Sequence, residues 1–357
     1  MSNEFITDID ELIGILGLSG RLRSDVNFSG YAEAVLKSEK LNTQAQQRGT
    51  IVQGRSLPSI PAPVYPLLVP REFVKLMEVG NPSDPLLLQV LPQAAENYDN
   101  AGFTQNPLDE KINSKLPILK KYCGRALLML NRQCGIHCRF CFRRHILHAD
   151  TPAQYLPSST ELKLGADVEE TIDSVASDKS INEVILSGGD PLVQNDEQLK
   201  TVLDYIEKIP HVKRIRIHSR FLVVMPERIT ENLNIVFKRA KPIYLVLHVN
   251  HLNELSENFI ARLKILDAPV ILSQTVLLRG INDDADVLAK LFEKLADNRV
   301  IPYYLHQLDR VAGAAHFEVN TVEGCRIVAN LRERLSGYAV PRYVQEIAGE
   351  NCKKILH

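Results

Sequence analysis

From Arg125 onward the chain repeats one plan: a short apolar run, a polar or glycine-bearing turn, then a stretch with apolar residues at helical spacing. The pattern predicts strands over Ala126–Leu130, Glu183–Leu186, Arg214–Ile217, Ile243–Val249, Val270–Val276 and Ile301–Leu305. It predicts helices near 167–177, 196–208, 226–239, 253–266, 284–296 and 320–335. Successive βα units imply a parallel sheet with right-handed crossovers. Six units rather than eight predict an α/β fold of the partial (β/α)6, TIM-like kind, open on one side.

Residues 1–115 are less regular, and we expect them to form a helical appendage packed on a core spanning 116–357. Helical pieces are expected over Ile9–Leu16 and Tyr31–Leu41, and another helix opening on Pro70. Between them Ser56-Leu-Pro-Ser-Ile-Pro-Ala-Pro-Val-Tyr-Pro66 forbids a long helix.

Composition narrows the function classes. Lys plus Arg (42) nearly balance Asp plus Glu (43), so no global field invites nucleic acid or an anionic membrane. The first residues are acidic where a secretory signal would be basic, and no apolar run reaches the roughly 18 residues of a spanning helix. Six cysteines in 357 residues do not form a disulfide framework, so a reducing cytoplasm is expected.

In a parallel barrel the chemistry sits at the carboxyl ends of the strands. Here those ends carry Cys134-Gly-Ile-His-Cys138-Arg-Phe-Cys141, Ser187-Gly-Gly-Asp190, His218-Ser-Arg220, His248-Val-Asn-His251, Arg279-Gly-Ile-Asn282 after a strand bearing Gln274, and His306-Gln-Leu-Asp309. Cys134, Cys138 and Cys141 are spaced C-x3-C-x2-C, close enough to share one metal centre. Two readings stay open: an iron–sulfur cluster, which with three protein ligands leaves one iron free, or structural zinc completed by His145. Gly188 and Gly189 leave bare backbone for close approach of a ligand, and Asp190 offers an acceptor for an ammonium.

The cysteine stretch, with Phe140 before its last cysteine, resembles the signature of the radical S-adenosylmethionine enzymes, and Ser187-Gly-Gly-Asp190 resembles their glycine-glycine-acid motif. The resemblance implies that Cys134, Cys138 and Cys141 hold a 4Fe-4S cluster whose open iron chelates S-adenosylmethionine, with Ser187, Gly188, Gly189, Asp190 and Gln274 binding the cofactor. Within that family the chain is similar to the lysine 2,3-aminomutases from about residue 85 onward, through Cys138-Arg-Phe-Cys-Phe-Arg-Arg-His145, Leu186-Ser-Gly-Gly-Asp-Pro-Leu192, Asn250-His-Leu-Asn-Glu254, Val276-Leu-Leu-Arg-Gly-Ile-Asn282 and Ser336-Gly-Tyr-Ala-Val-Pro341. This similarity implies pyridoxal 5'-phosphate as a further cofactor, a Schiff-base lysine at Lys353, and contacts to the cofactor from Tyr122 and Arg125. The tail departs from the usual glycine run with Glu350, Asn351 and Cys352, and Lys354 stands where threonine is common.

The same resemblance makes Arg143 the clamp for the substrate carboxylate and Asp309 and Glu346 the receptors of the distal ammonium of L-lysine. The implied reaction is conversion of L-α-lysine to β-lysine, with reducing electrons from a flavodoxin or ferredoxin. Glu346 in place of an aspartate, the Phe142-Arg-Arg-His145 run and the end of the chain soon after Lys353 make it resemble the shorter branch. That branch supplies (R)-β-lysine to a lysyl ligase acting on translation elongation factor P, and the missing assembly surface implies a monomer or dimer. The alternatives are a metabolic lysine 2,3-aminomutase and a non-catalytic zinc or iron–sulfur binding module.

Overall fold

The computed structural model describes residues 4–18, 65–111, 118–147 and 166–357. The expected helix over Tyr31–Leu41, nearly all of the proline-rich passage and the 115/116 boundary lie outside them. At the N-terminal side, β1 (Phe5–Ile6) pairs antiparallel with β2 (Val69–Pro70). Between them in sequence lies α1 (Ile9–Ile15), opened by Asp8, whose carboxylate accepts from Glu11 N at 2.9 Å. Pro70 is the N-cap of α2 (Arg71–Val74), which stops after a single turn. Short 3-10 turns at Leu87–Gln89 and Ala94–Asn97 follow, so this described stretch is more irregular than the expected helices suggest.

The rest of the fold is one large mixed sheet. Its members are β3 (Ile118–Leu119), β4 (Arg125–Asn131), β5 (Glu183–Gly188), β6 (Arg214–Ser219), β7 (Ile243–His248), β8 (Val270–Val276), β9 (Ile301–His306), β10 (Arg342–Gln345) and β11 (Lys354–Ile355). The strands lie side by side in sequence order, β4 through β10 all parallel, with β3 and β11 antiparallel at the two edges. The expected strands are β4 to β9, each within two residues of its predicted ends. β10 and β11 were not expected. They carry the tail back onto the sheet and so bring Lys353 beside the ends of the other strands.

Helices fill the crossovers as the pattern requires, notably Ala166–Ser177, Asp196–Glu207, Ala285–Asp297 and Thr321–Arg334. Two expected helices are broken. The 226–239 stretch splits into a 3-10 turn at Pro226–Arg228 and a helix over Glu231–Phe237 capped by Thr230, and 253–266 splits likewise at Ser256, which caps Glu257–Leu263. In both, a hydroxyl accepting from a backbone N–H three residues on starts the helix late.

One apolar core joins the sheet, its helices and the N-terminal elements, with Phe5, Leu12 and Phe73 in the same cluster as Leu128, Val184, Ile217 and Leu245. A smaller cluster of Phe140, Leu278, Ile281, Leu308, Val311 and Phe317 packs against the cysteine loop. Among the described residues no helix is long and apolar enough to cross a membrane.

Candidate active site

The carboxyl ends of the parallel strands surround a cavity of about 400 Å³. Each residue to which the resemblance gave a cofactor or substrate role lines it: Cys134, Cys138, Cys141, Ser187, Gly188, Gly189, Asp190, Gln274, Tyr122, Arg125, Arg143, Asp309, Glu346 and Lys353. Of the doubled lysine only Lys353 does so; Lys354, on β11, is exposed. His218, His248 and His306 also face the cavity, whereas His251, Arg279 and Asn282 do not. Asn282 is a brace, accepting from Leu278 N at 2.7 Å and donating to the carbonyls of Asn250 and Val276 at 2.9 Å.

The cysteine loop leaves β4 through a tight joint with the turn after β5. Gly189 N donates to the Asn131 carbonyl at 2.8 Å and Asp190 N to the Gln133 carbonyl at 2.7 Å. Gly188 has φ +113°, and a Cβ on Gly189 would fall 2.1 Å from the Gln133 oxygen. The glycines are therefore needed for this backbone-on-backbone contact, and both still line the cavity.

Asp190 differs from expectation for a related reason. Its carboxylate accepts from Leu192 N at 3.0 Å, Ser219 Oγ at 2.9 Å, Arg220 N at 2.7 Å and Phe221 N at 2.8 Å. A carboxylate offers about four acceptor sites, so this side chain is spent on the start of the next turn and not held for an ammonium. Phe221, placed by that turn, lies so close to Gly135 that a Cβ there would meet its ring at 2.1 Å. Asp190 thus ties β5 and β6 to the cysteine loop.

The loop's arginines are anchored too. Arg139 and Arg144 share Glu96, and Arg139 also donates to the Tyr65 carbonyl at 2.8 Å. Arg220 is buried and donates to Gln89 Oε1 at 2.8 Å beside Glu254.

All three cysteines are free thiols, and burial pushes each up, Cys138 to about 12. For Cys134 the neighbouring Cys141 adds to the effect. Without a cation the thiols keep their protons; a bound metal centre supplies the charge that makes thiolates of them. The donor set therefore fits a cluster. It does not fit the Cys3His zinc alternative, because the His145 ring is not among the side chains that line the cavity with the three cysteines. Among the described residues, no three His, Cys, Asp or Glu side chains converge on a single-ion site.

Opposite the cysteines the cavity is strongly charged, with Glu110, Asp309 and Glu346 facing Arg143, Lys121 and Lys353. Glu346 is already engaged: Lys353 Nζ and Tyr122 OH bond it closely, and Lys121 Nζ stands at 2.6 Å. It serves as an anchor for the two lysines rather than an open receptor. Among the described residues no ion pair engages the Asp309 carboxylate; burial raises it to about 6, while Lys353 and Lys121 pull the other way. Burial lowers Lys353 to about 8, so a minor unprotonated fraction is present near neutral pH, far larger than for an ordinary lysine. The Arg125 guanidinium stacks over the Tyr122 ring, 5.0 Å from its centroid.

Sequence reasoning missed Glu110 and Lys121. Both are charged residues in stretches without periodicity, and no local signal marks them as inward-facing.

Residues 123–232 match the family model of a 4Fe-4S single cluster domain, a span that includes all three loop cysteines and Ser187-Gly-Gly-Asp190. The chain is 42% identical over 320 residues to the L-lysine 2,3-aminomutase of Escherichia coli, covering 88% of this chain and 89% of the relative. It is 40% identical to that of Haemophilus influenzae (82% and 85% covered) and 36% identical to that of Clostridium subterminale (79% and 66% covered).

Proposed function

The chain belongs to the L-lysine 2,3-aminomutase family, which makes it an isomerase, and from that premise we propose that it moves the α-amino group of L-lysine to the β-carbon, giving β-lysine. Membership and the cluster domain imply a 4Fe-4S cluster, S-adenosylmethionine and pyridoxal 5'-phosphate as cofactors. When bound, the first two supply a hydrogen-abstracting radical, and the third supplies a ring that accommodates the migrating nitrogen.

The chain's own residues divide the remaining work. Cys134, Cys138 and Cys141 hold the cluster, and the turn at Ser187–Asp190 with Gln274 shapes the neighbouring S-adenosylmethionine subsite. Lys353 is the attachment point for the pyridoxal aldehyde, supported by its depressed basicity and its place on the cavity wall. Tyr122 and Arg125 face the same cofactor. Arg143 receives the substrate carboxylate. Asp309, half-buried and without an ion pair among the described residues, receives the distal ammonium, with Glu346 holding the lysines that surround it.

The observation that carries this reading is the convergence of the three cysteines, Arg143, Asp309 and Lys353 on one 400 Å³ cavity. The direct test is anaerobic reconstitution with iron, sulfide and pyridoxal phosphate, followed by reaction with L-lysine, S-adenosylmethionine and dithionite. β-Lysine is expected on chromatography. Cleavage of S-adenosylmethionine with lysine unchanged would overturn the substrate assignment.

The finer reading comprises a partial (β/α)6 barrel over 116–357 with residues 1–115 as an appendage, a cytoplasmic monomer or dimer, and a flavodoxin or ferredoxin as electron donor. Its product goes to elongation factor P through a lysyl ligase. Glu346 and Phe142-Arg-Arg-His145 support that branch over a metabolic role. Elongation factor P from cells with and without the gene should differ in β-lysine after hydrolysis; undiminished β-lysine in the deletion strain would refute the pathway.

A further inference from the structure

Glu110 reaches into the cavity from the irregular stretch ahead of β3 and takes hold of Arg143 with both oxygens. Arg143 Nε lies 2.8 Å from Oε2 and Nη2 lies 2.8 Å from Oε1, and the two side chains are only 8% and 6% exposed. A planar guanidinium has two edges that can each grip a carboxylate, Nε with Nη2 and Nη1 with Nη2. Glu110 takes the first edge. On the second, the contact recorded among the described residues is Nη1 to Ser187 Oγ at 3.4 Å, long for a hydrogen bond. The Phe142 ring lies 4.6 Å from the guanidinium carbon and restrains the plane. Arg143, Ser187 and Glu110 all line the cavity.

We propose that Glu110 is a positioning residue for substrate recognition: by occupying the Nε/Nη2 edge, it aims the Nη1/Nη2 edge of Arg143 at the α-carboxylate of the amino acid. The inference rests on the reading of Arg143 as the carboxylate clamp. It differs from a simple competitor, in which Glu110 would fill the place of the substrate and have to leave. With Glu110 on one edge and substrate on the other, both carboxylates are held at once. The neutral pair also spares the pocket an unpaired buried cation while it is empty. A substrate without a carboxylate has no use for the aimed edge.

The test measures equilibrium binding of L-lysine and L-lysinamide, by calorimetry without reductant, to protein carrying its cluster, S-adenosylmethionine and pyridoxal phosphate. Glu110→Gln puts an amide N–H against an arginine N–H and frees the guanidinium to turn. We expect the L-lysine Kd to rise about tenfold, the loss of one well-aimed charged contact, with less than about a twofold change for L-lysinamide. In an Arg143→Lys background Glu110→Gln should add nothing. Glu110→Asp, which keeps the charge but shortens the reach, should give an intermediate loss confined to L-lysine and serves if the glutamine variant does not fold. Equal losses for both ligands, tighter L-lysine binding in Glu110→Gln, or additive losses in the double variant would each overturn the proposal. Wild-type L-lysine binding by Arg143→Lys would instead refute the clamp itself, separating failure of that reading from failure of this one.

Discussion

Replacing Gly189 with alanine tests whether the turn after β5 holds the cysteine loop in place. The new Cβ would come 2.1 Å from the Gln133 carbonyl oxygen and 2.7 Å from Asn131 Oδ1. Neither neighbour is a free side-chain tip: the first is backbone, and the Asn131 amide is bonded to Gln133 N at 2.9 Å and to the Asp190 carbonyl at 3.0 Å. Reaching ordinary contact requires the 131–133 segment to retreat by about 1 Å, in an interior packed too closely to absorb it. That retreat strains both backbone bonds of the joint, Gly189 N to Asn131 O and Asp190 N to Gln133 O. Overpacking costs about 1–3 kcal/mol and each lost buried bond about 1 kcal/mol, so the metal-free protein should lose about 3–5 kcal/mol. Cys134 follows Gln133 directly, so the first cysteine is carried along and iron retention should fall too. The assay is urea unfolding of metal-free protein, together with iron and sulfide per chain after reconstitution. Gly337, where an added Cβ has nothing within 4 Å, is the control and should change by no more than about 0.5 kcal/mol. Wild-type unfolding and wild-type iron in Gly189→Ala would show that the joint does not hold the loop.

Cys138→Ala should lose most of its iron and sulfide, while alanine at Cys123, Cys325 or Cys352 should not; full iron in Cys138→Ala would remove it from the cluster. Borohydride reduction of the pyridoxal-loaded protein should place the label on Lys353, and peptide mapping that finds it on exposed Lys354 would reverse the assignment of the tail. Asp309 is held up to about 6, so kcat/KM for lysine should fall as pH drops through about 6, where the carboxylate gains its proton. Asp309→Asn should show weak turnover without that inflection, and an unchanged profile would exclude Asp309 from ammonium recognition. His145→Ala should leave bound metal unchanged, since its ring does not line the cavity that the three cysteines share; loss of zinc or iron in that variant would revive the Cys3His set.

The strands β4 to β9 were legible either as apolar runs covered on both faces, as in Glu183–Gly188, buried throughout, or as strict alternation, as in Arg214–Ser219. The two split helices were not, because Thr230 and Ser256 look no different from other polar residues until their side chains are seen to cap. β10 and β11 are short, and β11 is exposed, so neither left a pattern to find. At the site, identities were readable and partnerships were not. Asp190 and Glu346 were placed on the cavity, but the donors that occupy them come from Ser219, Arg220 and Phe221 and from Tyr122, Lys121 and Lys353. Those pairings depend on the fold as a whole. The same is true of Glu110, whose importance lies in facing Arg143 across 33 positions of sequence.

The joint built from Asn131–Gln133, Ser187–Asp190 and Ser219–Phe221 also sets a timetable for biosynthesis. Its bonds span separations such as 59 residues between Asn131 and Asp190 and 31 between Asp190 and Phe221. A growing chain that has just released the three cysteines from the ribosome still lacks the turn that braces them and the ring of Phe221 that backs Gly135. The native loop can form only after residue 221 has emerged and β4, β5 and β6 have paired. Iron donated earlier would meet thiols that lack the turn and the ring that orient them in the finished fold.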